Sequence, residues 1–374
     1  MKILVNGNLG YLGPIVARHL RQVFPGAELV GFDSGYFAGC LVDPERFPDI
    51  AYDTQHFGDV RRLPEEVLRD VDAVVQLAAL SNDPMGKAFE DVTAEINAAA
   101  VAETARRAKA ADVKAFVLAS SCSVYGAGGD DAKTERSPLD PLTAYARSKI
   151  AAEEALAPLA GPEFKVTSLR FATACGFSPR LRLDLVLNDF VASAVAVGKI
   201  QILSDGTPWR PLIHVRDMAR AIEWAIVREA ADSSDFLVLN IGSDGWNYRI
   251  RDLAEGVRQH LGNVEVSVNP EASPDRRSYR VDFGLFARLA PRHQPQETLA
   301  SAVRDLHDGL SACGFADPDF RQSRFIRLKV LSDLRQSGRL DDALYWRDGH
   351  YGTSNDQALV SPDSKPSVKS PPVV

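Results

Sequence analysis

The sequence predicts an α/β protein built on a doubly wound parallel sheet, followed by a smaller C-terminal α/β unit. Two observations predict this class. Short β-branched runs alternate with longer amphipathic segments over the first half of the chain, which is typical of a parallel sheet with helices on both faces. The first run ends in a glycine-rich turn that leads into a helix, a known way for such sheets to hold phosphate groups.

The first predicted unit is a strand, a helix and a second strand. Residues 2–5 form a short apolar run, which predicts a strand. Residues 11–24 carry apolar side chains at helical spacing, and residues 28–32 form another apolar run. This order predicts two parallel strands joined by a helix.

The alternation continues to residue 170. Segment 94–110 is rich in Ala and segment 145–159 consists of strong helix formers, so both predict helices. The apolar runs around them predict further strands at 72–77, 115–119 and 165–170. We therefore predict a first domain over residues 1–170.

A second, smaller domain is predicted over residues 171–350. Gly, Pro and Arg are frequent in residues 176–182, and a helical run follows at 183–197. The segment of about 212–240 has the pattern of a strand end plus a helix that could return to the first sheet.

The C-terminal part of the chain is basic and then biased in composition. Residues 321–340 form a basic amphipathic stretch, which predicts a solvated surface helix in preference to a contact role. Ser, Pro and Lys dominate residues 361–374, so residues 351–374 are predicted to form a flexible tail.

Size and charge exclude several classes of protein. The chain has 374 residues, of which 45% are hydrophobic and 25% charged. At roughly 150 residues per domain this indicates about two folded domains. The net charge is −7, so nothing global favours nucleic acid or an anionic membrane surface. We expect neither a nucleic-acid partner nor a membrane, and local groups must hold any anionic ligand.

The cysteines and the N-terminus bear on location. No apolar stretch approaches the roughly 20 residues of a membrane span, and the N-terminus has no export signal. The four cysteines are far apart and form no CxxC pair, so neither a zinc site nor a disulfide framework is expected: Cys40, Cys122, Cys175 and Cys313. We therefore expect a cytoplasmic protein without a metal.

The glycine-rich turn is the first candidate binding site. Gly7, Gly10 and Gly13 have the spacing GxxGxxG, with Tyr11 and Leu12 before the last glycine. The backbone of such a turn can approach a diphosphate that lies on the helix N-terminus. Glycine-rich turns also occur for packing alone, so the choice depends on the residues that follow.

Asp33 favours the binding interpretation. It ends the second strand, 20 residues beyond Gly13, where an acidic side chain can accept bonds from both ribose hydroxyls. A carboxylate there repels a 2′-phosphate, and residues 34–36 supply no Arg to compensate. The sequence therefore predicts NAD in preference to NADP. Further residues that could contact the cofactor are Asp59, Val60, Leu77, Ala78 and Ala79.

A tyrosine and a lysine form the candidate catalytic pair. Tyr145 and Lys149 are four residues apart, so both side chains project from one face of the predicted helix. An ammonium group near a phenol favours the phenolate, which can then exchange a proton with an alcohol. Lys149 could also bind the nicotinamide ribose of the cofactor. Ser121, at the end of an apolar strand, can polarise a substrate oxygen.

Together these residues resemble the extended short-chain dehydrogenase/reductase family, in its nucleotide-sugar epimerase and dehydratase branch. The resemblance spans roughly residues 1–250 and includes GNLGYLG, GDV, QLAAL, SSCSVYG, YARSK, LRFATACG, PWRPLIHVRD and LNIGS. It implies a Rossmann-like fold, NAD as cofactor and a nucleotide-diphospho-sugar as substrate. It also implies that Tyr145 transfers the proton with Lys149 beside it, that Ser121 is the catalytic hydroxyl and that Asn97 lines the cofactor pocket.

The resemblance also implies residues that bind the substrate. Asn188 matches a residue that meets the substrate phosphates, and Arg210 matches an Arg that binds the diphosphate. Residues 275–282 look like a second phosphate-binding stretch, in which either Arg276 or Arg277 would be used. Further candidates to face the sugar or the phosphates are Ser81, Ser123, Thr173, Arg180 and Arg182.

The chain departs from the dehydratases and decarboxylases of this branch. Those enzymes carry carboxylates directly after the catalytic hydroxyl, whereas this chain has Cys122 and Ser123 there. Water elimination is therefore not expected. The related epimerase-reductases use a Cys two residues before the VYG-like tyrosine, and Cys122 is one position too early for that role.

We therefore predict an NAD-dependent C4 epimerase of a nucleotide-diphospho-sugar. The alternative is a 4-ketosugar-nucleotide reductase, which uses the same residues and consumes reduced cofactor. A non-catalytic dinucleotide-binding regulator is a third hypothesis, which the presence of both Tyr145 and Lys149 disfavours. By resemblance, a homodimer is expected to form through the helices at 94–110 and 145–159.

Overall fold

The structure is a computed structural model that describes residues 1–229, 234–269 and 277–347. Its strands are, in chain order, β1 (Lys2–Asn6), β2 (Glu28–Asp33), β3 (Thr54–Phe57), β4 (Ala73–Gln76), β5 (Ala115–Ser121), β6 (Ala127–Lys133), β7 (Lys165–Phe171), β8 (Thr173–Cys175), β9 (Lys199–Ile202), β10 (Trp209–His214), β11 (Phe236–Ile241), β12 (Asn247–Arg249), β13 (Glu265–Val268) and β14 (Ser278–Val281).

The helices surround these strands. They are, in chain order, α1 (Gly13–Val23), α2 (Asp83–Ala88), α3 (Glu90–Ala94), α4 (Ala100–Ala110), α5 (Ala144–Leu156), α6 (Val186–Val197), α7 (Val215–Val227), α8 (Ile250–Leu261), α9 (Gly284–Leu289), α10 (Leu299–Ala312) and α11 (Arg327–Gln336).

Seven parallel strands form the main sheet, in the order β11-β7-β5-β4-β1-β2-β3. The direction of winding reverses between β1 and β4, and ligands of doubly wound sheets bind where strands end at such a point. The predicted doubly wound parallel sheet is confirmed. Sequence reasoning missed β3, because this edge strand is short and largely polar.

Alternating side chains of the strands fill the two layers beside the sheet. Ile3 and Val5 of β1 pack in one core with residues of α1 and α7, whereas Leu4 packs in a second core with residues of α4 and α5. Strands buried on both faces carry continuous apolar runs, which is why the sequence showed them clearly.

The helix predicted at 94–110 is interrupted. A π-helical turn at Glu95–Ala99 joins α3 to α4. Asn97 in this turn bonds to the backbone of Leu80 with both ends of its side chain. These two hydrogen bonds anchor the π-helical turn to Leu80. The helical pattern of the sequence does not reveal the interruption.

Part of the segment at about 212–240 returns to the first sheet, as predicted. Helix α7 contributes Ala221 and Ile222 to the core that also contains residues of α1, and β11 pairs with β7 at the edge of the main sheet. Strand β10 does not join that sheet. It pairs with β8 and β12 in a separate three-stranded sheet.

A separate apolar core lies in the second half of the chain. It is formed mainly by residues of α6, α8 and α10, with Ile200 and Ile202 of β9. The division of the chain into domains at residue 170 stays a prediction. None of the helices in the described ranges is both long and apolar enough to span a membrane.

Residues 327–347, which we name the C-terminal strap, pack against the N-terminal half of the chain. Leu331, Leu340 and Leu344 share an apolar cluster with Val60 and Leu80. The prediction that the helix at 321–340 is solvated is therefore wrong, because Leu331 is fully buried. The tail predicted at 351–374 lies outside the described residues.

Candidate active site

The glycine-rich turn lies at the reversal point of the main sheet. Gly7 has a φ of +85°, and a Cβ at this residue would lie 2.3 Å from the backbone nitrogen of Ala78. A side chain here would collide with the residues after β4 and would strain the left-handed backbone. Gly7 therefore allows the turn to lie directly against the end of β4.

A cavity of about 140 Å³ opens beside this turn. Its walls come from the turn, from the ends of β2 and β4, and from the loop after β3. The predicted cofactor residues that line it are Gly7, Gly10, Tyr11, Leu12, Asp33, Asp59, Val60, Leu77, Ala78 and Ala79. The wall also includes Arg182 and Arg327, from the second half of the chain.

Asp33 is held at the wall of the smaller cavity by two backbone groups. Its carboxylate accepts hydrogen bonds from the Leu9 nitrogen at 2.9 Å and the Gly35 nitrogen at 2.7 Å. Burial raises the pKa of the Asp33 carboxyl, while these two bonds lower it. Since a carboxylate oxygen can accept more than one bond, the side chain can still bind hydroxyl groups.

Besides Lys149, two predicted cofactor residues do not line this cavity. Asn97 is buried, accepts a bond from the Leu80 nitrogen at 2.9 Å and donates to the Leu80 oxygen at 3.0 Å. A Cβ on Gly13 would lie 1.8 Å from the Asn8 oxygen, so this glycine packs α1 against the turn. The expected direct contacts are therefore corrected: Asn97 supports Leu80, which lines the cavity, and Gly13 supports the turn.

A second cavity of about 710 Å³ adjoins the first. The predicted catalytic residues Ser121, Tyr145 and Lys149 all line it, as do the predicted substrate residues Ser81, Ser123 and Thr173. Six residues line both cavities: Tyr11, Leu12, Leu77, Ala79, Ser81 and Arg182. The glycine turn and the candidate catalytic residues therefore face one connected space.

Tyr145 and Ser121 form the centre of the larger cavity. Thr143 caps α5 by accepting a bond from the Ala146 nitrogen at 3.1 Å, which places Tyr145 in the first turn. Ser121, at the end of β5, lines the same cavity. Burial raises the pKa of Tyr145 to about 12, against the opposing effects of the Ser121 hydroxyl and of the Arg182 charge.

Lys149 lies one turn further along α5. Its Nζ donates to the Ala119 oxygen at 2.8 Å and lies 5.7 Å from the centre of the Tyr145 ring. Burial lowers the pKa of Lys149 to about 8, although the Glu153 carboxylate acts in the opposite direction. The expected effect of Lys149 on the pKa of Tyr145 stays a prediction.

Cys122 and Ser123 follow Ser121 in the chain but differ in their exposure to the larger cavity. The Cys122 thiol is buried and donates to the Arg170 oxygen at 3.0 Å, and burial raises its pKa. Ser123 lines the larger cavity, and its buried Oγ has no hydrogen-bond partner among the described residues. Ser123 is therefore placed to bond a ligand, and Cys122 is not.

Three of the predicted substrate arginines line the larger cavity: Arg182, Arg210 and Arg277. Arg182 donates to Ser81 Oγ at 2.9 Å and to both oxygens of Asp184 at 2.9 and 3.0 Å. Arg210 donates to the backbone oxygen of Arg277. Arg276 lies outside the described residues.

Two other predicted substrate residues do not line either cavity. Arg180 is buried and forms two hydrogen bonds, of 2.7 and 2.6 Å, with the Asp49 carboxylate. Asn188 is also buried, where it donates to the Tyr11 hydroxyl at 3.0 Å and the Arg182 oxygen at 2.9 Å. The predicted substrate contacts are therefore corrected, since both side chains hold the loop that carries Arg182.

Known proteins resemble this chain in sequence and in fold. The model of the NAD dependent epimerase/dehydratase family matches residues 3–242. The chain belongs to this family. It is therefore an NAD-dependent enzyme of the extended short-chain dehydrogenase/reductase type, in a family whose members act on sugar nucleotides.

Curated relatives and solved structures agree with the family. The low-salt glycan biosynthesis protein Agl12 of Haloferax volcanii is 25% identical over 84% of this chain and 97% of its own length. The UDP-glucose 4-epimerase of Streptomyces lividans is 26% identical over 70% of this chain and 82% of its own. The structure of MoeE5 in complex with UDP-glucose and NAD has a TM-score of 0.70 at 24% identity, over 83% of this chain and 99% of that one.

The residues of this family member fit NAD. Gly7 and Gly10 leave backbone exposed at the wall of the smaller cavity, where a diphosphate can lie. Asp33 is placed to bind a ribose, and the connection between the cavities leads towards Tyr145 and Lys149. These residues would hold the cofactor with its two ends in adjoining spaces.

Three carboxylates of the larger cavity were not among the predicted site residues, although Asp83 belongs to the stretch 81–85 that was expected to face the sugar. Each is paired with an arginine: Asp83 with Arg277 at 2.7 Å, Asp184 with Arg182 at 2.9 Å and Asp189 with Arg321 at 2.7 Å. The close spacing of Arg182 and Asp184 in the sequence was a usable signal. The other two pairs join residues more than 130 positions apart and left no local pattern.

Proposed function

We propose that this enzyme is a C4 epimerase of a nucleotide-diphospho-sugar. The observation that carries the proposal is the placement of Ser121, Tyr145 and Lys149 in one cavity that adjoins the glycine turn. This set can take a proton from a sugar hydroxyl and return it. The UDP-glucose 4-epimerases among the relatives support the same reaction class.

Tyr145 moves the proton at the 4-hydroxyl of the sugar. The sugar is oxidised to a 4-keto form and reduced again on its opposite face, so the reaction consumes neither oxidant nor reductant. When bound, NAD supplies the hydride acceptor and donor for these two steps. Ser121, which lines the same cavity as Tyr145, donates to that oxygen as it changes between alcohol and carbonyl.

Lys149 supplies positive charge beneath Tyr145. With its pKa near 8, the ammonium form is present at neutral pH and is lost in mildly alkaline solution. Its hydrogen bond to the Ala119 oxygen fixes the side chain along α5. Lys149 therefore favours the phenolate during proton transfer, even though burial keeps Tyr145 protonated at rest.

The groups beside Ser121 support epimerisation over elimination of water. A 4,6-dehydratase needs a free acid and base beside the sugar, whereas Cys122 is turned away from the cavity with a raised thiol pKa. The described carboxylates of the cavity are Asp83, Asp184 and Asp189, and each is ion-paired to an arginine. These pairs occupy the carboxylates that could otherwise act as the base.

The arginines of the larger cavity suit a diphosphate group. Guanidinium groups bind phosphate oxygens with two parallel hydrogen bonds. Arg210 and Arg277 lie together at one end of the cavity, linked by the bond between the Arg210 guanidinium and the Arg277 backbone. We propose that these residues bind the substrate diphosphate, with Thr173 and Ser123 nearer the sugar.

Conversion of purified protein with UDP-hexose and dTDP-hexose pairs tests this function. Product analysis should show interconversion of the C4 epimers, with no net change in NADH absorbance. Tyr145→Phe should reduce the rate by roughly 100-fold or more, since general acid–base groups contribute about 10²–10⁴-fold. Tyr248→Phe is the matched control, because Tyr248 packs against the second core and its side chain lines neither cavity.

Other outcomes of this experiment point to other functions. Net NADH consumption with a 4-keto-6-deoxy sugar nucleotide identifies a reductase. No exchange at C4 with any sugar nucleotide refutes the epimerase. The proposal also includes a homodimer and a cytoplasmic location.

A further inference from the structure

Arg327 is an unexpected part of the smaller cavity. It is the first residue of α11 in the C-terminal strap, and it lies beyond residues 3–242 that match the family model. Arg327 is only 1% exposed to solvent, yet its side chain lines the cavity that Gly7, Gly10 and Asp33 also line. A buried guanidinium at the wall of an NAD cavity calls for a physical explanation.

The hydrogen-bond partners of Arg327 do not neutralise its charge. Its guanidinium donates to the Arg180 oxygen at 2.8 Å and to the Arg324 oxygen at 3.2 Å, and it lies over the Phe37 ring at 5.1 Å. No carboxylate in the described ranges forms an ion pair with it. A buried charge without a counter-charge is costly unless a ligand supplies one.

The neighbouring arginines increase the need for a negatively charged ligand at Arg327. Arg180 is paired with Asp49, and Arg182 is paired with Asp184, so each has its own carboxylate. Arg327 adds a third cation to this cluster. Burial lowers the pKa of Arg327, and the charges of Arg182 and Arg180 act in the same direction, whereas the Asp184 carboxylate opposes them. The three arginines with Asp49 and Asp184 therefore carry one net positive charge, and Arg327 is the member without an ion-paired carboxylate among the described residues.

We propose that Arg327 binds the diphosphate of NAD and thereby makes the C-terminal strap part of the cofactor site. The glycine turn binds one side of the diphosphate through backbone, and Arg327 faces it from the strap. The planar guanidinium can donate two parallel bonds to phosphate oxygens. The proposal depends on the NAD site alone and not on the C4 reaction.

Other contacts join the strap to the loops that line the same cavity. Trp346 Nε1 donates to the Ser34 oxygen at 2.8 Å, and the Tyr36 hydroxyl bonds to the Leu344 oxygen. Ser34 and Tyr36 both line the smaller cavity. The strap is therefore fixed directly to residues that line the cofactor cavity.

Titration calorimetry of the full chain, freed of bound dinucleotide, tests this proposal with ADP, adenosine and UDP. Arg327→Gln should weaken ADP binding about 10- to 100-fold, as expected for loss of charge-assisted hydrogen bonds. Adenosine affinity should change less than about twofold, because adenosine has no phosphate. UDP affinity should also be unchanged. Arg324→Gln is the matched control, since Arg324 is exposed on the same segment.

The outcomes separate a ligand contact from a structural one. Equal losses for ADP and adenosine show that Arg327 only holds the strap, and a loss for UDP alone assigns it to the substrate; either overturns the proposal, as does unchanged ADP binding. If Arg327→Gln does not fold, Arg327→Lys decides, with a smaller selective loss for ADP expected. Failed epimerase activity with this ADP pattern intact would count against the proposed function only.

Discussion

At the scale of single residues, burial moves the pKa values of the candidate catalytic pair, Tyr145 and Lys149, away from each other. It raises the pKa of Tyr145 to about 12 and lowers that of Lys149 to about 8. Both shifts have the same cause, because a wall of apolar groups disfavours phenolate and ammonium alike. The site therefore keeps a proton on Tyr145 and holds Lys149 close to its titration point.

Replacement of Lys149 should separate its chemical role from its structural cost. The lowered pKa means that the charged side chain destabilises the fold below about pH 8, and that this penalty disappears as pH rises towards 10.5. Lys149→Met should abolish measurable turnover but raise stability by about 1–3 kcal/mol at pH 7. Urea unfolding at pH 7 and pH 10 measures this gain, which should shrink at the higher pH. An equal or larger gain at pH 10 would contradict the assignment.

The buried pair of Arg180 and Asp49 gives a second residue-scale prediction. Either partner, left alone, becomes an uncompensated buried charge, so Arg180→Met and Asp49→Asn should each cost about 3–5 kcal/mol. Urea unfolding measures the loss, and the double variant should recover part of it. Since neither side chain lines a cavity, KM for the sugar nucleotide should remain within about twofold in variants that stay folded. A large KM change with normal stability would restore Arg180 as a substrate residue.

The same pair shows why some site residues could not be predicted. The turn of Gly7, the strand end at Asp33 and the helical spacing of Tyr145 and Lys149 are local features, and sequence placed each beside the correct cavity. Arg180 and Arg182 are two positions apart in an irregular loop, which has no period that distinguishes inward from outward positions. Their environments depend on Asp49 and Ser81, which are distant in sequence.

At the scale of elements, the C-terminal strap is the main departure from the sequence prediction. A basic amphipathic pattern predicts a helix but does not say what its apolar face covers. Here Leu331 packs beside Val60 and Leu80, two residues that line the smaller cavity. The fold of the first 170 residues was predictable because its strands are continuous apolar runs, whereas docking of the strap depends on contacts between distant segments.

Tyr345 should control how long the cofactor stays bound. The Arg61 guanidinium lies 3.6 Å from the centre of the Tyr345 ring, and Arg61 also donates to the Ala343 oxygen at 2.8 Å. Loss of a cation–π contact of about 0.5–2 kcal/mol should loosen the strap. Tyr345→Ala should therefore release NADH several-fold faster in stopped-flow fluorescence. Lys329→Ala on the outer side of α11 is the control, and equal release rates would contradict a retaining role for the strap.

At the scale of the whole molecule, the helices on the two faces of the main sheet have different roles. Helices α1 and α7 pack over one face, and α7 brings the second half of the chain back onto it. Helices α4 and α5 pack over the other face, and α5 also carries Tyr145 and Lys149. Any assembly through α4 and α5 would therefore place a subunit interface directly behind the catalytic pair.

An exposed position on α5 tests the proposed dimer. Ala151 is exposed on this helix, while Ala152 and Leu156 face the core. Small outward side chains let a second helix approach closely, so a charge at Ala151 should separate the subunits. Light scattering should give a dimer for the unaltered chain and a monomer for Ala151→Glu. Arg18→Glu on α1, across the sheet, should remain a dimer; a monomeric unaltered chain, or a dimeric Ala151→Glu, would remove α5 from the interface.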